Sequence, residues 1–268
     1  DMPLYLPKFF KNTKFDAIVS KNCDQELALM DYFKYADSND EKLLHDVFIV
    51  KNNQLILTKK GNKLDPDEWG FSLENEVPID KYMEMEGKNQ YVMTIARGCP
   101  YGCKYCNATS YYGSIERRRN ISSIINFINN HNYEYYKFFA PNFTLNKKEV
   151  YKLCNEIINN GKKIKWSCTT RPDLLDDEEL IKTMSLAGCI KIAVGIESIS
   201  SKDLNYIDKR YNQKLISEGV KLTKKYNIKY KALVMFGVPN QSKESIYNTI
   251  EFLKKLNLEI RPTAYTPF

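Results

Sequence analysis

Histidine is scarce in this sequence of 268 residues, which contains only His45 and His131. A second Cys-x2-Cys pair is also missing, so the paired ligand spacings of a structural zinc site are absent. No segment approaches the roughly 18 uncharged apolar residues of a membrane span. The first residues also lack the basic, apolar and small-residue order of a signal peptide. These absences predict a cytoplasmic protein with no membrane partner.

Cysteine is present in an odd number, seven, and three of the seven lie close together after residue 98. This arrangement favours a metal site in a reducing compartment over a disulfide framework. The net charge is +7, but the lysines are spread along the chain rather than gathered in a stripe. We therefore expect a generally basic surface that suits acidic protein partners, and no nucleic-acid partner.

Hydrophobic periodicity beyond residue 89 alternates between strand and helix. The pattern predicts six strands and five intervening helices, with the strands YVMTIARG, YYKFFA, KIKWSCTT, KIAVGIES, IKYKALVMFG and EIRPTAYTPF. Such alternation is typical of right-handed βαβ units around a parallel sheet. Six units are too few for a closed eight-fold barrel, so residues 89–268 are predicted to form a partial (βα)6 TIM-like barrel. Ligands of such folds bind beyond the carboxyl ends of the strands.

The first 88 residues have a different pattern and predict a small α/β N-terminal region. FDAIVS reads as a strand and QELALMDYFKYA as a helix, and DVFIVKNNQLILTKK reads as a hairpin that turns at Asn52-Asn53. The polar stretch from residue 61 to residue 88 reads as an irregular connector.

The segment ARGCPYGCKYCNATSYYG places Cys99, Cys103 and Cys106 in a C-x3-C-x2-C spacing between a predicted strand and a helix. Three thiolates can ligate three irons of a 4Fe–4S cluster and leave the fourth iron open for chemistry. Gly98 and Gly102 would let the loop turn tightly. Zinc is the alternative, with a fourth ligand from Cys154, Cys168 or Cys189, but we assign these three to core packing.

The same segment, with Tyr105 just before the third cysteine, resembles the signature of the radical S-adenosylmethionine (SAM) superfamily, and Tyr105 is by this resemblance a candidate cofactor contact. The similarity extends through most of residues 91–268. It implies that the open iron chelates the amino and carboxylate groups of SAM. Reductive cleavage would then give a 5′-deoxyadenosyl radical, which would abstract hydrogen from a small-molecule or peptide substrate. An oxygen-sensitive cluster and an electron donor such as flavodoxin or ferredoxin are also implied.

The ends of the predicted strands supply candidate SAM contacts. By resemblance, Asn142 would contact the SAM amino group. Arg171 is the candidate partner of the SAM carboxylate, because its guanidinium fork matches that group. Ser167 and Thr169 are candidates for the ribose. Glu197 would be a buried carboxylate, and we expect ribose hydroxyls or the SAM ammonium to satisfy it, in preference to a structural salt bridge.

Three segments have competing interpretations. Val234 to Gly237 resembles the strand whose backbone recognises adenine in the family, although a buried strand before a turn explains it equally. The Asn142 segment is alternatively a helix entry capped by Asn146 or Thr144. Arg117, Arg118 and Arg119 either line an entrance for an anion or form a solvated charge run. No catalytic residue is assigned beyond the cluster ligands.

The N-terminal region is similar to the junction in radical SAM proteins that have a cobalamin-binding domain. It has Lys21-Asn22-Cys23-Asp24 where relatives have an acidic, glycine-rich turn, and no Asp-x-His-x-x-Gly motif is present. We expect a reduced or truncated relic of that domain and no cobalamin. Because the chain does not begin with Met and its end resembles the middle of the family pattern, it is expected to be part of a longer protein.

Several functions remain open at this stage. The leading hypothesis is hydrogen abstraction that leads to epimerisation, cross-linking or rearrangement, and methylation is a further outcome if a missing segment exists. The alternatives are an iron–sulfur or zinc module that binds RNA and a radical SAM enzyme that modifies tRNA.

Overall fold

The computed structural model describes residues 15–20, 23–52, 54–71, 81 and 89–266. The chain divides into two compact units. One unit comprises Asp1–Trp69, Gly98–Tyr101 and Asn107–Glu116, and the other comprises Gly70–Arg97, Gly102–Cys106 and Arg117–Phe268. The domain boundary expected between residues 88 and 89 stays a prediction.

A six-stranded sheet forms the centre of the second unit. Its strands are β4 (Gln90–Thr94), β7 (Tyr135–Phe139), β8 (Lys165–Thr170), β9 (Cys189–Glu197), β10 (Lys229–Phe236) and β11 (Glu259–Ala264). They follow the order β11-β10-β9-β8-β7-β4, and every neighbouring pair is parallel. The predicted partial α/β barrel is thus confirmed, and each of its six strands overlaps a segment that the sequence predicted as a strand.

Helices connect these strands and cover one face of the sheet. They are α3 (Ile121–Asn130), α4 (Lys147–Asn160), α5 (Glu178–Leu186), α6 (Ser201–Tyr206), α7 (Gln213–Lys225) and α8 (Lys243–Lys255). Side chains just before the first turn accept hydrogen bonds from the backbone, as Asp177 does from the Leu180 amide at 3.0 Å. Such caps satisfy amides that have no partner within the helix, so the polar residues between apolar runs determine where the helices begin.

The main core lies between the sheet and these helices. Trp166, Tyr136 and Phe138 point from the strands into it and are almost fully buried. The Trp166 indole also donates a 2.8 Å hydrogen bond to the Ala187 carbonyl. Because side chains alternate along a strand, the residues between these aromatics face the opposite side of the sheet.

The first unit contains an antiparallel sheet of β1 (Ile18–Val19), β2 (Val47–Lys51) and β3 (Gln54–Leu57), with the helix α1 (Gln25–Ser38). Lys51 pairs with Gln54, which confirms the predicted hairpin, although residue 53 lies outside the described residues. A small core of Cys23, Ala28, Leu44 and Val47 holds this unit together. The turn residues 21 and 22 lie outside the described residues.

The structure differs from the predicted pattern in three places. YVMTIARG is not one strand, because after β4 the chain forms β5 (Ala96–Arg97), which pairs antiparallel with β6 (Arg117–Arg118). The short helices α2 (Ala108–Tyr112) and α6 were not predicted, since fewer than two helical turns give little periodicity. Of the expected connector, residues 72–80 and 82–88 lie outside the described part of the chain.

The described residues contain no helix with the length and apolar character that a bilayer crossing requires.

Gly188, between α5 and β9, allows a close backbone approach that can be tested. Its φ is +90°, and a Cβ at this position would lie 2.0 Å from the Ile164 carbonyl oxygen. We expect Gly188→Ala to lower the free energy of unfolding by about 3 kcal/mol or more, because steric overlap adds to left-handed strain. Chemical denaturation measures this change.

Gly161 provides the control, since it ends α4 with a φ of +76° and has nothing within 4 Å of its Cβ position. Gly161→Ala is expected to cost only about 1–2 kcal/mol. Equal losses in the two variants would contradict the assigned backbone approach.

Candidate active site

The segment before α2 is held by backbone and hydroxyl hydrogen bonds. The Thr109 hydroxyl lies 2.9 Å from the Cys99 carbonyl oxygen and 2.8 Å from that of Tyr101, and the Cys99 amide donates to the Gly113 carbonyl at 3.1 Å. Gly98 has a φ of +94°, and a Cβ there would lie 2.0 Å from the Ile115 carbonyl oxygen. Glycine is therefore required immediately before Cys99. Gly102 has no such close contact.

Cys103 and Cys106 form the other end of the cysteine motif. The Cys106 amide donates a 2.9 Å hydrogen bond to the Cys103 carbonyl. Cys103 is half-buried and Cys106 is exposed, whereas Cys99 is buried. Burial raises the pKa of the Cys103 thiol, and the positive charges of Lys209 and Arg171 oppose that rise. Nearby cations stabilise a thiolate, which is the form of cysteine that binds metal.

Arg171 follows β8 directly, at the carboxyl end of that strand. Its guanidinium donates from Nε to Asp173 Oδ1 at 2.9 Å and from Nη2 to Asp173 Oδ2 at 3.0 Å. The third nitrogen, Nη1, lies 3.8 Å from the Cys103 sulfur. The bidentate pair holds the guanidinium in one orientation, with one edge toward a predicted cluster ligand.

Glu197 ends β9 and has a left-handed backbone, with a φ of +58°. Its side chain is buried, and Oε1 accepts hydrogen bonds from the Tyr105 hydroxyl at 2.8 Å and from Lys209 Nζ at 2.9 Å. A structural salt bridge, which the sequence analysis ranked below contact with SAM, is present between Glu197 and Lys209, 12 residues farther along the chain. Contact of Glu197 with SAM stays a prediction. The ion pair satisfies a charge that would otherwise be costly to bury.

The residues around Tyr105 and Glu197 form a closely packed polar group. Lys209 Nζ also donates to the Gly195 carbonyl at 3.0 Å, and the Tyr211 hydroxyl donates to the same carbonyl at 2.9 Å. Burial, followed by the charge of Glu197, raises the pKa of both tyrosine hydroxyls. Both therefore act as hydrogen-bond donors at neutral pH.

Asn142 lies after β7 and is almost completely buried. Its Oδ1 accepts a 2.7 Å hydrogen bond from the Thr170 hydroxyl, which also lies 2.5 Å from the Thr144 hydroxyl. Its Nδ2 has no hydrogen-bond partner among the described residues. The helix that follows, α4, is capped by Asn146, whose side chain accepts a 3.3 Å hydrogen bond from the Glu149 amide. Of the two cap residues that the sequence offered, Asn146 and Thr144, Asn146 is thus confirmed.

The remaining candidate SAM contacts lie at different depths. Thr169 is partly exposed near the end of β8, whereas Ser167 is buried two residues earlier and hydrogen-bonds Tyr135. Val234 pairs with Glu197 in the sheet and is buried. Gly237 follows β10, and its amide donates to Gln241 Oε1 at 2.9 Å. Of the two hydroxyl residues on β8, Thr169 is therefore the nearer to the strand end, where Arg171 lies.

The arginine run and the other cysteines have structural places. Arg119 is buried with its guanidinium 4.1 Å from the centre of the Phe71 ring, and Arg118 donates to the Phe143 carbonyl. Arg119 is therefore not part of a solvated charge run. Cys154, Cys168 and Cys189 lie in the main core, as the sequence indicated.

Three residues of the site were missed from the sequence: Asp173, Lys209 and Tyr211. The two-residue spacing from Arg171 to Asp173 is a local signal that could have found the first. A lysine between Ile207 and Tyr211 is a weaker signal, because the Glu197 partner becomes apparent only when the chain is folded.

The chemistry of the cysteine segment fits an iron–sulfur cluster. It supplies three thiols, and the Cys103 thiol has two cations nearby, Lys209 and Arg171. No three His, Cys, Asp or Glu side chains in the described ranges are already arranged as a metal site. The assignment of Cys99, Cys103 and Cys106 as ligands therefore rests on donor chemistry and spacing.

Comparison with known proteins agrees with this chemistry. The model of the Radical SAM superfamily matches residues 93–253. An uncharacterized methyltransferase of Pyrococcus horikoshii is 30% identical over 72% of this chain and 42% of its own length. The anaerobic magnesium-protoporphyrin IX monomethyl ester cyclase of Cereibacter sphaeroides is 27% identical over 70% of this chain and 31% of its own length.

Solved structures show the same fold. The radical SAM methyltransferase TsrM from Kitasatospora setae superposes with a TM-score of 0.79 at 16% identity, covering 98% of this chain and 53% of that one. The cobalamin-dependent SAM radical enzyme OxsB superposes with a TM-score of 0.78 at 15% identity, covering 98% of this chain and 39% of that one.

The chain spans about half or less of the length of these proteins. The family model nevertheless covers most of the second unit, including the ends of β8 and β9, where Arg171 and Glu197 lie. The resemblance read from the cysteine motif is confirmed, and the chain belongs to the Radical SAM superfamily.

Proposed function

We propose that this chain is the catalytic part of an enzyme that cleaves SAM reductively and abstracts hydrogen from a small-molecule or peptide substrate. The observation that carries the proposal is the placement of Arg171, whose Nη1 lies 3.8 Å from the Cys103 sulfur at the end of β8. A guanidinium beside a cluster ligand can bind the carboxylate of a cofactor that docks on the cluster.

Cys99, Cys103 and Cys106 are the proposed cluster ligands. A 4Fe–4S cluster bound there would supply the single electron that splits SAM into methionine and the 5′-deoxyadenosyl radical. Arg171 would hold the SAM carboxylate with its guanidinium, and the two hydrogen bonds from Nε and Nη2 to Asp173 would keep that guanidinium in place. Asp173 is thus a positioning residue for this contact.

Glu197 and Asn142 would hold the polar groups of SAM. Both described hydrogen bonds to Glu197 are accepted by Oε1, which leaves Oε2 to accept from ribose hydroxyls or the SAM ammonium. Rotation of the Asn142 amide by half a turn would let Nδ2 donate to Thr170, whose hydroxyl would then donate to Thr144. That orientation would present Oδ1 to the ammonium.

The other candidate contacts have supporting roles in the proposal. Thr169 and Ser167 would offer hydroxyls for the ribose, with Thr169 nearer the strand end. The backbone from Val234 to Gly237 would border the adenine. An external one-electron donor, such as flavodoxin or ferredoxin, is required by this chemistry, and an acidic donor suits the net charge of +7.

Methyl transfer is a second candidate. The names of several relatives support it, among them the bacteriochlorophyllide d C-12(1)-methyltransferase of Chlorobaculum tepidum, which is 23% identical over 85% of this chain and 51% of its own length. Solved structures of similar fold contain cobalamin. Within these 268 residues we expect no cobalamin, and a corrin site would belong to another part of a longer protein.

The cluster assignment predicts different effects for two groups of cysteines. We expect Cys99→Ala, Cys103→Ala and Cys106→Ala each to reduce iron from about four per chain to below one after anaerobic reconstitution, since each removes a ligand. Formation of 5′-deoxyadenosine with dithionite and SAM should be lost as well. Iron analysis and chromatography measure the two quantities.

Cys154→Ala is the matched control, because this thiol is buried in the core and should not affect iron content. Unchanged iron in the three loop variants would contradict the ligand assignment. About one zinc per chain with no visible absorption would favour the binding-module alternative.

The role of Arg171 predicts a loss of SAM affinity. Arg171→Gln should raise the Kd for SAM at least roughly tenfold in the reconstituted protein, because it removes a charge-assisted hydrogen bond. Arg171→Lys should not restore binding, since an ammonium cannot make the two parallel hydrogen bonds to Asp173 and also reach the SAM carboxylate. Equilibrium dialysis with labelled SAM measures the affinity.

Arg210→Gln provides the control, because Arg210 has a side chain that is 89% exposed and only a distant contact with Asp208. Its Kd for SAM should remain within twofold of the unchanged chain. If Arg171→Gln and Arg210→Gln bind SAM equally well, the carboxylate contact is wrong.

Cobalamin binding separates the two candidate functions for this segment. Gel filtration after incubation with hydroxocobalamin should leave the protein colourless apart from its cluster absorption. Co-elution of one corrin per chain would instead favour methyl transfer within these residues.

A further inference from the structure

Asp203 is a buried carboxylate that the proposed SAM site does not use. It lies on α6 and is 3% exposed. Its Oδ2 accepts hydrogen bonds from the Ser198 hydroxyl at 2.9 Å, from Gln241 Nε2 at 3.0 Å and from the Ser245 hydroxyl. A carboxylate is costly to bury unless hydrogen bonds satisfy it, and three donors to one oxygen meet that need. We refer to these four residues as the Asp203 network.

One arm of the network reaches the end of β9. Ser198 directly follows Glu197 and is almost completely buried. Its hydroxyl donates to Asp203 and accepts a 3.1 Å hydrogen bond from the Ser200 amide. Glu197 itself has a φ of +58°, and such a left-handed conformation persists only where the surrounding structure imposes it. The hydrogen bond from Ser198 to Asp203 is one of the contacts that impose it.

A second arm reaches the end of β10 through the side-chain amide of Gln241. Its Nε2 donates to Asp203 and, at 3.4 Å, to the Met235 carbonyl, while its Oε1 accepts from the Gly237 amide at 2.9 Å. The reverse orientation of this amide would place Oε1 against a carboxylate and Nε2 against a backbone N–H. Asp203 and Gly237 together therefore fix the orientation of Gln241, and Gln241 holds the backbone on both sides of Phe236.

The two strand ends depend on side chains because the backbone ladder between them stops. The pairing of β9 with β10 shifts register just before Val234, and Val234 and Glu197 form the last pair of the two strands in the described chain. Ser198 and Gly237 therefore lie beyond the ladder that joins β9 to β10. Hydrogen bonds through Asp203 continue the connection between the two ends.

The third donor, Ser245, lies in the first turn of α8 and has a different place. Its hydroxyl donates to Asp203, and its amide donates to the Ser242 hydroxyl at 3.0 Å as part of the helix cap. Among the described contacts, the Ser245 hydroxyl reaches neither strand end. It thus helps to satisfy the same carboxylate without holding β9 or β10, which makes it an internal comparison for the two arms.

Both strand ends carry groups of the proposed SAM site. Glu197 is the proposed acceptor for the ribose hydroxyls, and the backbone from Val234 to Gly237 would border the adenine. Groups that bind a ligand must be held within about 0.5 Å of the productive geometry by residues behind them. The Asp203 network is in contact with both ends and is placed to supply that support for the adenosine half of SAM.

We propose that Asp203 is a positioning residue for the adenosine half of SAM, which fixes Glu197 through Ser198 and the Val234–Gly237 backbone through Gln241. This inference rests on the proposed function and adds to it a residue that acts through others.

The test measures the two halves of SAM separately on the reconstituted full chain. Anaerobic equilibrium dialysis with labelled 5′-deoxyadenosine reports the adenosine half, and dialysis with labelled methionine reports the half that Arg171 would hold. Asp203→Ala should raise the Kd for 5′-deoxyadenosine at least about tenfold and the Kd for methionine less than about twofold. A role in stability alone would not separate the two ligands.

Variants of the arms distinguish positioning from the burial of a charge. Ser198→Ala and Gln241→Ala each release one strand end, and each should raise the Kd for 5′-deoxyadenosine about three- to fivefold. Ser245→Ala is the matched control and should change it less than twofold. Asp203→Asn should restore most of the affinity, because its amide oxygen can accept the same hydrogen bonds.

Asp177→Ala is the control for loss of a carboxylate that holds a helix start. Asp177 accepts from the Leu180 amide at 3.0 Å and from the Tyr151 hydroxyl at 2.9 Å. This variant should unfold at a lower denaturant concentration and keep both Kd values within twofold. Circular dichroism checks the folding of each variant. If Asp203→Ala does not fold, the comparison of Gln241→Ala with Ser245→Ala decides, since Gln241 is only partly buried.

An unchanged Kd for 5′-deoxyadenosine in Asp203→Ala, or equal rises in Gln241→Ala and Ser245→Ala, would overturn the inference. Formation of 5′-deoxyadenosine from SAM is measured separately on the unchanged chain. Cleavage of SAM with equal binding in all variants would refute only the role of Asp203. Absence of both cleavage and ligand binding in the unchanged chain would refute the proposed function, and the role of Asp203 with it.

Discussion

The buried carboxylate of Glu197 is the group on which the geometry of the site depends. Its Oε1 receives both Lys209 and Tyr105, and Tyr105 immediately precedes Cys106. The left-handed backbone at Glu197 costs about 1–3 kcal/mol, and the surrounding contacts must offset that cost. One oxygen atom thereby joins the end of β9 to the loop that carries two of the proposed cluster ligands.

The two faces of the parallel sheet have divided roles. One face packs aromatic side chains such as Trp166 and Tyr136 against helices, and this packing provides the stability of the second unit. The other face carries lysines and hydroxyls that contribute little to a core. The aromatic face and the polar face thus differ in character, although side chains of the same strands form both.

Much of the second unit could be predicted because its signals are local. Alternation along strands and helical spacing are properties of consecutive residues, and the Asp177 and Asn146 caps mark two helix starts. The spacing of Cys99, Cys103 and Cys106 identified the cluster segment for the same reason. The division of YVMTIARG into β4 and β5 could not be predicted, because it depends on pairing with Arg117 and Arg118.

The sequence by itself determined the parallel α/β fold, the cysteine motif and the presence of polar residues at the strand ends. Only the tertiary structure decided that Glu197 pairs with Lys209, that Arg171 is oriented by Asp173, and that cations from four strands line one cavity. Periodicity and motif spacing are read over a few residues. The contact between Tyr105 and Glu197 joins positions 92 residues apart, and only the register of the folded sheet brings such residues together.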